Sequence, residues 1–190
     1  MSQAPLAPDS ESMPTAAAWI QSRLTALYES DVAGVQDVFD RTFSPLCEVR
    51  LNHVVQPLQT FRDDVAARRT AATHVSVAWG LNSFPGASHS DEGVVSTNED
   101  KPKEPAVVAG ALVVTRSLPF RIRVSPAQRQ TYIYFSARIE RDLGVQGGDP
   151  RRITSFYYTS VDKTPPIHFT VHAQPKRVDP RASDGLGCAS

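Results

Sequence analysis

Only two cysteines, Cys47 and Cys188, occur in the 190-residue chain, so no disulfide framework can hold it together. Cys47 stands on the apolar side of an alternating stretch and Cys188 in a glycine-rich tail, the usage expected of a reduced intracellular protein. Net charge is absent too: twenty Lys+Arg balance twenty Asp+Glu. Attraction to phosphates needs a surplus of cations, so autonomous nucleic-acid binding is not expected. The doublets Arg68-Arg69, Arg151-Arg152 and Lys176-Arg177 read as solvated surface. No apolar run approaches the roughly 20 residues of a membrane span, so no membrane partner is expected. The opening MSQAPLAPDSESMP has neither a basic start nor an apolar run, and no secretory signal is expected from it.

Recognisable catalytic machinery is also missing. There is no Gly-x-Ser-x-Gly elbow and no glycine loop placed before a helix to cradle phosphate; Gly144, Gly147 and Gly148 lie in a hairpin turn. His168 and His172 would share a metal on a helix, but Ile167, Phe169 and Val171 alternate with them. In an extended chain the two imidazoles stand about 13 Å apart. His53 and His74 have no cysteine or carboxylate cluster beside them, so no metal is expected. Asp40, at a helix end, is the one acid left as a candidate general base. The reading is therefore of a non-enzyme with no catalytic residue, cofactor or metal ligand assigned.

What is present is a core. Hydrophobic residues make up 41% of the chain, enough for one globular domain. Residues 1–14, rich in Pro, Ser and Ala, are expected to be disordered. Thr15 is placed to cap a helix over 16–29 with Ile20, Leu24, Leu27 and Tyr28 on one face. Ser30 or Asp31 is expected to cap a second helix carrying Val35, Val38 and Phe39. That helix should end at Ser44-Pro45. Next comes a strand ending at Asn52-His53, a turn, a short Val-Val strand, and a third helix opening near Thr60. There, Thr60-Phe61-Arg62-Asp63 has the form of a capping box.

After residue 73 the period changes from 3.6 to 2. The segment HVSVAWGL alternates, VVAGALVVTRSL is apolar on both sides, and TYIYFSARIE and RITSFYYTSVD supply two further long strands. Three helices followed by antiparallel strands predict an α+β domain over 15–163, with the helices packed on one face of a curved antiparallel sheet. Residues 86–105 read as a flexible insertion. Residues 164–190 read as a mostly disordered tail with one possible short strand, IHFTVH.

Helices can cover only one side of such a sheet. Alternation sends Ile133, Phe135 and Ile139 towards them, and Tyr132, Tyr134 and Arg138 the other way. Beside those runs a strand whose second side carries Val107, Ala109, Ala111 and Val113. Tyrosine and arginine around small apolar residues is interface-like composition. The expected partner interface is Arg116, Tyr132, Tyr134, Arg138 and Tyr158.

The order of elements resembles the cone-shaped fold of the nuclear transport factor 2-like superfamily over about residues 15–163. CEVRLNH followed by LQTFRDDVA looks like the strand–Asn–turn–helix of its transport branch. NSFPG leading, after an insertion, to VVAGALVVT, with Gly110 in mid-strand, resembles the way small export cofactors enter their central strand, and RQTYIYFSARI and ITSFYYTSVD resemble their closing strands. Length, the long acidic and polar insertion after Pro85-Gly86 and the short ordered ends look most like the small subunit of the fungal mRNA export receptor. Leu51 replaces an aromatic common in that branch, and Tyr158 and Ser160 stand where two aromatics are common. The resemblance implies a non-enzymatic adaptor paired with a similar domain of a larger subunit and binding Phe-Gly nucleoporins. It would act in the nucleus and at the nuclear pore, shuttling to the cytoplasm. The rivals are a homodimeric binding protein and an isomerase, dehydratase or cyclase of the same fold. Ketosteroid-isomerase-like members place a Tyr on the first helix and an Asp at the end of the first strand, where this chain has Arg23 and Leu51.

Overall fold

The computed structural model describes residues 13–80, 94–97, 105–122, 125–142, 144 and 149–165. Helix α1 (Ala16–Glu29) has the expected bounds. The Thr15 hydroxyl accepts from the Ala18 N–H at 3.1 Å, and Ile20, Leu24 and Leu27 are fully buried. Helix α2 (Val35–Thr42) starts later than expected. Asp31 accepts from the Gly34 N–H at 2.7 Å and so closes a turn ahead of the helix instead of capping it. Helix α3 (Leu58–Thr70) starts earlier than expected, from Pro57, whose carbonyl accepts from the Thr60 and Phe61 N–H groups. The Thr60–Asp63 capping box is therefore not formed; Asp63 accepts from the Gln59 amide at 2.7 Å.

Seven strands follow the helices or separate them: β1 (Phe43–Leu51), β2 (Val54–Gln56), β3 (His74–Trp79), β4 (Val94–Ser96), β5 (Ala106–Ile122), β6 (Ser125–Arg141) and β7 (Arg151–Lys163). They form one sheet in the order β2-β1-β7-β6-β5-β3, with β4 also paired to β5. Two features differ from the expectation. The sheet is mixed, because β1 runs parallel to β7 while every other pair is antiparallel. The 86–105 insertion contributes β4, whose Val94, Val95 and Ser96 pair with Gly110, Ala109 and Val108. The rest of that insertion, apart from Thr97 and Pro105, and the IHFTVH segment lie outside the described residues.

The β1–β2 connection is a two-residue hairpin. Asn52 (φ 48°) and His53 (φ 70°) are both left-handed, the combination that matches the twist of a tight hairpin. Three helices on one face of a curved sheet give the nuclear transport factor 2-like fold. Its core is aromatic where helices and sheet meet. Phe43 stacks on Phe39 at 4.7 Å and meets Phe61 and Phe156 edge-on at 5.5 and 5.7 Å.

Candidate functional site

The helix-covered, concave side of the sheet does not fill completely. A cavity of about 40 Å³ remains between α3 and strands β3, β5, β6 and β7. Phe61, Val65, Val75, Val114, Ile133 and Tyr158 give it apolar walls, and Asp64, Arg68 and Arg116 give it charge. A water needs roughly 10–15 Å³ of such space, so the cavity takes a small group rather than a drug-sized ligand.

Its polar end is built from three strands and one helix. Arg116 on β5 is buried, and one of its terminal nitrogens donates to the Thr131 hydroxyl on β6 at 3.0 Å. Thr131 donates in turn to Asp162 on β7 at 2.5 Å. From α3, Arg68 reaches Asp162 at 3.1 Å and Asp64 at 2.7 Å. Arg129 approaches Asp162 at 3.5 Å. Arg116 Nε is buried with no hydrogen-bond partner among the described residues, a state that costs about 1–3 kcal/mol or more for a charged group.

These contacts set the ionisation of the site. Burial would raise the Asp162 carboxyl, but the Thr131 hydrogen bond and the Arg68, Arg116 and Arg129 guanidinium groups hold it below the ordinary aspartate range. Burial lowers Arg116, and the neighbouring positive charge of Arg68 adds to the effect. Burial pushes the Tyr28 and Tyr158 phenols upward, and Tyr158 accepts from the Gln56 amide at 3.1 Å. Asp64, which lines the cavity, and Asp162 at its charged end are both ion-paired to Arg68. Asp40 stands outside it, exposed, accepting from Gln36 at 2.6 Å and 3.7 Å from Arg62. Cys47 is buried and its thiol is pushed up to about 12, first by burial and then by Glu48. Among the described residues, no three His, Cys, Asp or Glu side chains converge as a metal site. No described helix is long and apolar enough to cross a membrane.

Of the five residues expected on the opposite face, three are there. Tyr132, Tyr134 and Arg138 project from the side of β6 away from Ile133 and Phe135. Tyr132 is nonetheless buried, its hydroxyl donating to Gln130 at 2.9 Å and its ring 5.1 Å from the Lys163 ammonium. Ala111 and Val113 beside it are buried as well, so this row is already covered within the single chain. Arg138 pairs with Glu140 at 2.7 Å.

The other two are corrected. Arg116 and Tyr158 belong to the concave side, Arg116 in the charged end of the cavity and Tyr158 against Phe61 and Phe156. Sequence reasoning also missed Thr131 and Asp162. The parity that places Ile133 inward also places Thr131 inward, and Arg116 shares the parity of Val114 and Leu112.

The exposed part of the outer face is a strip of Val107, Tyr134, Tyr157 and Val161. Tyr157 donates to Glu48 at 2.8 Å and lies beneath Arg50 at 5.0 Å. Between Tyr134 and Tyr157, a shallow groove of about 320 Å³ is bounded by Arg50 and His53.

No family model matches the chain, and no curated protein matches it in sequence. Among solved structures, the Kfla4162 protein from Kribbella flavida has a TM-score of 0.54 at 13% identity, over 77% of this chain and 89% of that one. The S. rosetta CaMKII hub has a TM-score of 0.48 at 13% identity, over 79% and 100%. A loop-truncation variant of IdmH has 0.43 at 13%, over 74% and 91%. The first likeness is one of fold; the other two are too distant in shape to carry an argument.

Proposed function

We propose that the protein is a non-enzymatic adaptor that pairs through the outer face of its sheet with a second domain of the same fold. Following the resemblance in its sequence, that domain belongs to the larger subunit of an mRNA export receptor. The pair binds Phe-Gly nucleoporins at the nuclear pore. The observation that carries this reading is the exposed strip of Val107, Tyr134, Tyr157 and Val161. Four apolar or aromatic side chains on adjoining strands lose free energy to water at about 25 cal/mol per Å², and a groove between two of them suits a partner's side chain. Asp162, held below the ordinary aspartate range, and the raised Cys47 thiol add support, since neither is poised to exchange protons near neutrality.

The test is purification of the native complex with identification of its subunits, together with sedimentation of wild type and Tyr134→Asp. The adaptor reading expects a second, homologous subunit that the variant loses. Self-association of the wild type, lost in the variant, would replace it with a homodimeric binding protein. A soluble monomer at high concentration, with cellular complexes unaffected by the variant, would overturn pairing through this face.

A further inference from the structure

We propose that the chain forms a two-fold dimer through a patch on its helix side, in which Leu46 of each copy enters a groove beside Pro45 of the other. The first ground is a displayed leucine. Strand β1 runs from Phe43 to Glu48 while its neighbour β7 runs only from Ile153 to Ser155, so β1 bulges between those points. Ser44 Oγ accepts from the Leu46 N–H at 3.3 Å and takes that donor out of the ladder. Leu46 stands 92% exposed, more than any other large hydrophobic residue among the described ones.

The second ground is an apolar groove next to it. The groove, of about 360 Å³, lies between α2, α3 and the start of β1. Phe39 and Phe43, themselves buried, form its floor, and Pro45 and Leu58 its walls. Gln59, with Asp40 and Arg62 at 3.7 Å from each other, makes a polar rim. An apolar centre inside a polar rim is the anatomy of a protein contact.

The third ground is what fits. Pro45 lines the groove and Leu46 follows it in the chain, yet so exposed a leucine is not seated in its own groove. A knob and a hole on one patch are self-complementary: a two-fold axis beside Pro45 brings each leucine to the groove of the other copy. The rim carries both signs, so Asp40 of one copy can meet Arg62 of the other. With no net charge, the chain offers its copy no long-range repulsion. A patch this small gives a weak, transient dimer. It lies away from the outer face that carries Tyr134 and does not rest on pairing there.

The experiment is sedimentation equilibrium of the full chain from about 1 μM to 1 mM, with circular dichroism of each variant as the check on folding. The wild type is expected to pass from monomer to dimer. Leu46→Asp, which removes the knob, and Gln59→Trp, which obstructs the groove, are each expected to weaken association at least tenfold. Tyr134→Asp is expected to leave it unchanged and to stop at the dimer, as a closed two-fold contact requires. A wild type that stays monomeric throughout would overturn the dimer and leave the groove to a different partner. Undiminished association in a folded Leu46→Asp or a folded Gln59→Trp would overturn it, as would association that Tyr134→Asp alone removes, which would belong to the outer face. Growth of Tyr134→Asp beyond the dimer would overturn the two-fold contact. Leu46 is exposed enough for its replacement to spare the fold, so Leu46→Asp decides by itself if Gln59→Trp fails to fold.

Discussion

Thr131 and Asp162 face each other directly across the β6–β7 pair, and the Thr131 hydroxyl donates to the carboxylate at 2.5 Å. The same register sets Arg116 opposite Arg129 across β5–β6, a like-charged pair that is unfavourable on its own. Asp162 offsets that repulsion from the third strand, and Arg68 seals it from the helix above. The carboxylate is therefore the keystone of the charged end of the cavity.

Asp162→Asn is expected to cost about 1–3 kcal/mol at pH 7, since the guanidinium groups lose their shared anion. The native carboxyl titrates below its ordinary value. Its stabilisation is thus complete above the unfolded value of about 3.9 and is lost as pH falls through the native one. Urea unfolding at pH 7 and pH 3 should show the wild type losing more stability on acidification than the variant. Equal pH dependence in the two would refute the assignment.

His53→Gly is expected to raise stability by about 1 kcal/mol. His53 sits at φ 70°, where a β-carbon costs roughly that amount and glycine has none. Asn52 should not tolerate the same change as well, because its side-chain oxygen accepts from the Ser160 N–H at 3.1 Å. Thermal melts of the two glycine variants should move in opposite directions.

Phe61→Ala is expected to destabilise the domain by about 3–5 kcal/mol. Its ring is buried among Phe39, Phe43, Phe156 and Tyr158, at 5.3–5.7 Å from each. Denaturant titration gives the value; a loss under 1 kcal/mol would mean that the cluster closes over the gap.

Cys47 should resist alkylation at pH 8 in the native protein, because the nucleophile is the thiolate and burial keeps the thiol protonated up to about 12. Peptide mapping after iodoacetamide treatment, with and without urea, should show Cys47 labelled only when unfolded.

Local signals were the legible ones. Thr15 before an apolar stripe announced α1 to the residue, and Asn52-His53 announced the turn. Where two local signals competed, the weaker reading could be chosen: Thr60 and Asp63 have capping chemistry, yet Pro57 starts α3 one turn earlier. The face of Arg116 was available from its parity with Leu112 and Val114. Its charge pointed outward until Thr131 and Asp162, 15 and 46 residues away, supplied an interior partner. Tyr158 faces inward because β7 is irregular near Ser155, so that Ile153 and Phe156 both face the core although strict alternation would separate them. Sequence spacing along one strand carries no trace of such a shift, which depends on its neighbour.

The parallel seam between β1 and β7 also has a history in time. Ribosomes deliver the chain from the N-terminus, and β1 waits about a hundred residues for the strand that completes it: Asn52 bonds Ser160 across a separation of 108. Until Arg151–Lys163 emerges, Phe43 and Phe61 lack Phe156, and the sheet has an open edge in its middle rather than at its rim. Closure of the domain therefore waits for β7, since so distant a contact cannot form before its second strand exists. A nascent chain stalled before β7 should be a client for chaperones, and one stalled after it should already be protease-resistant.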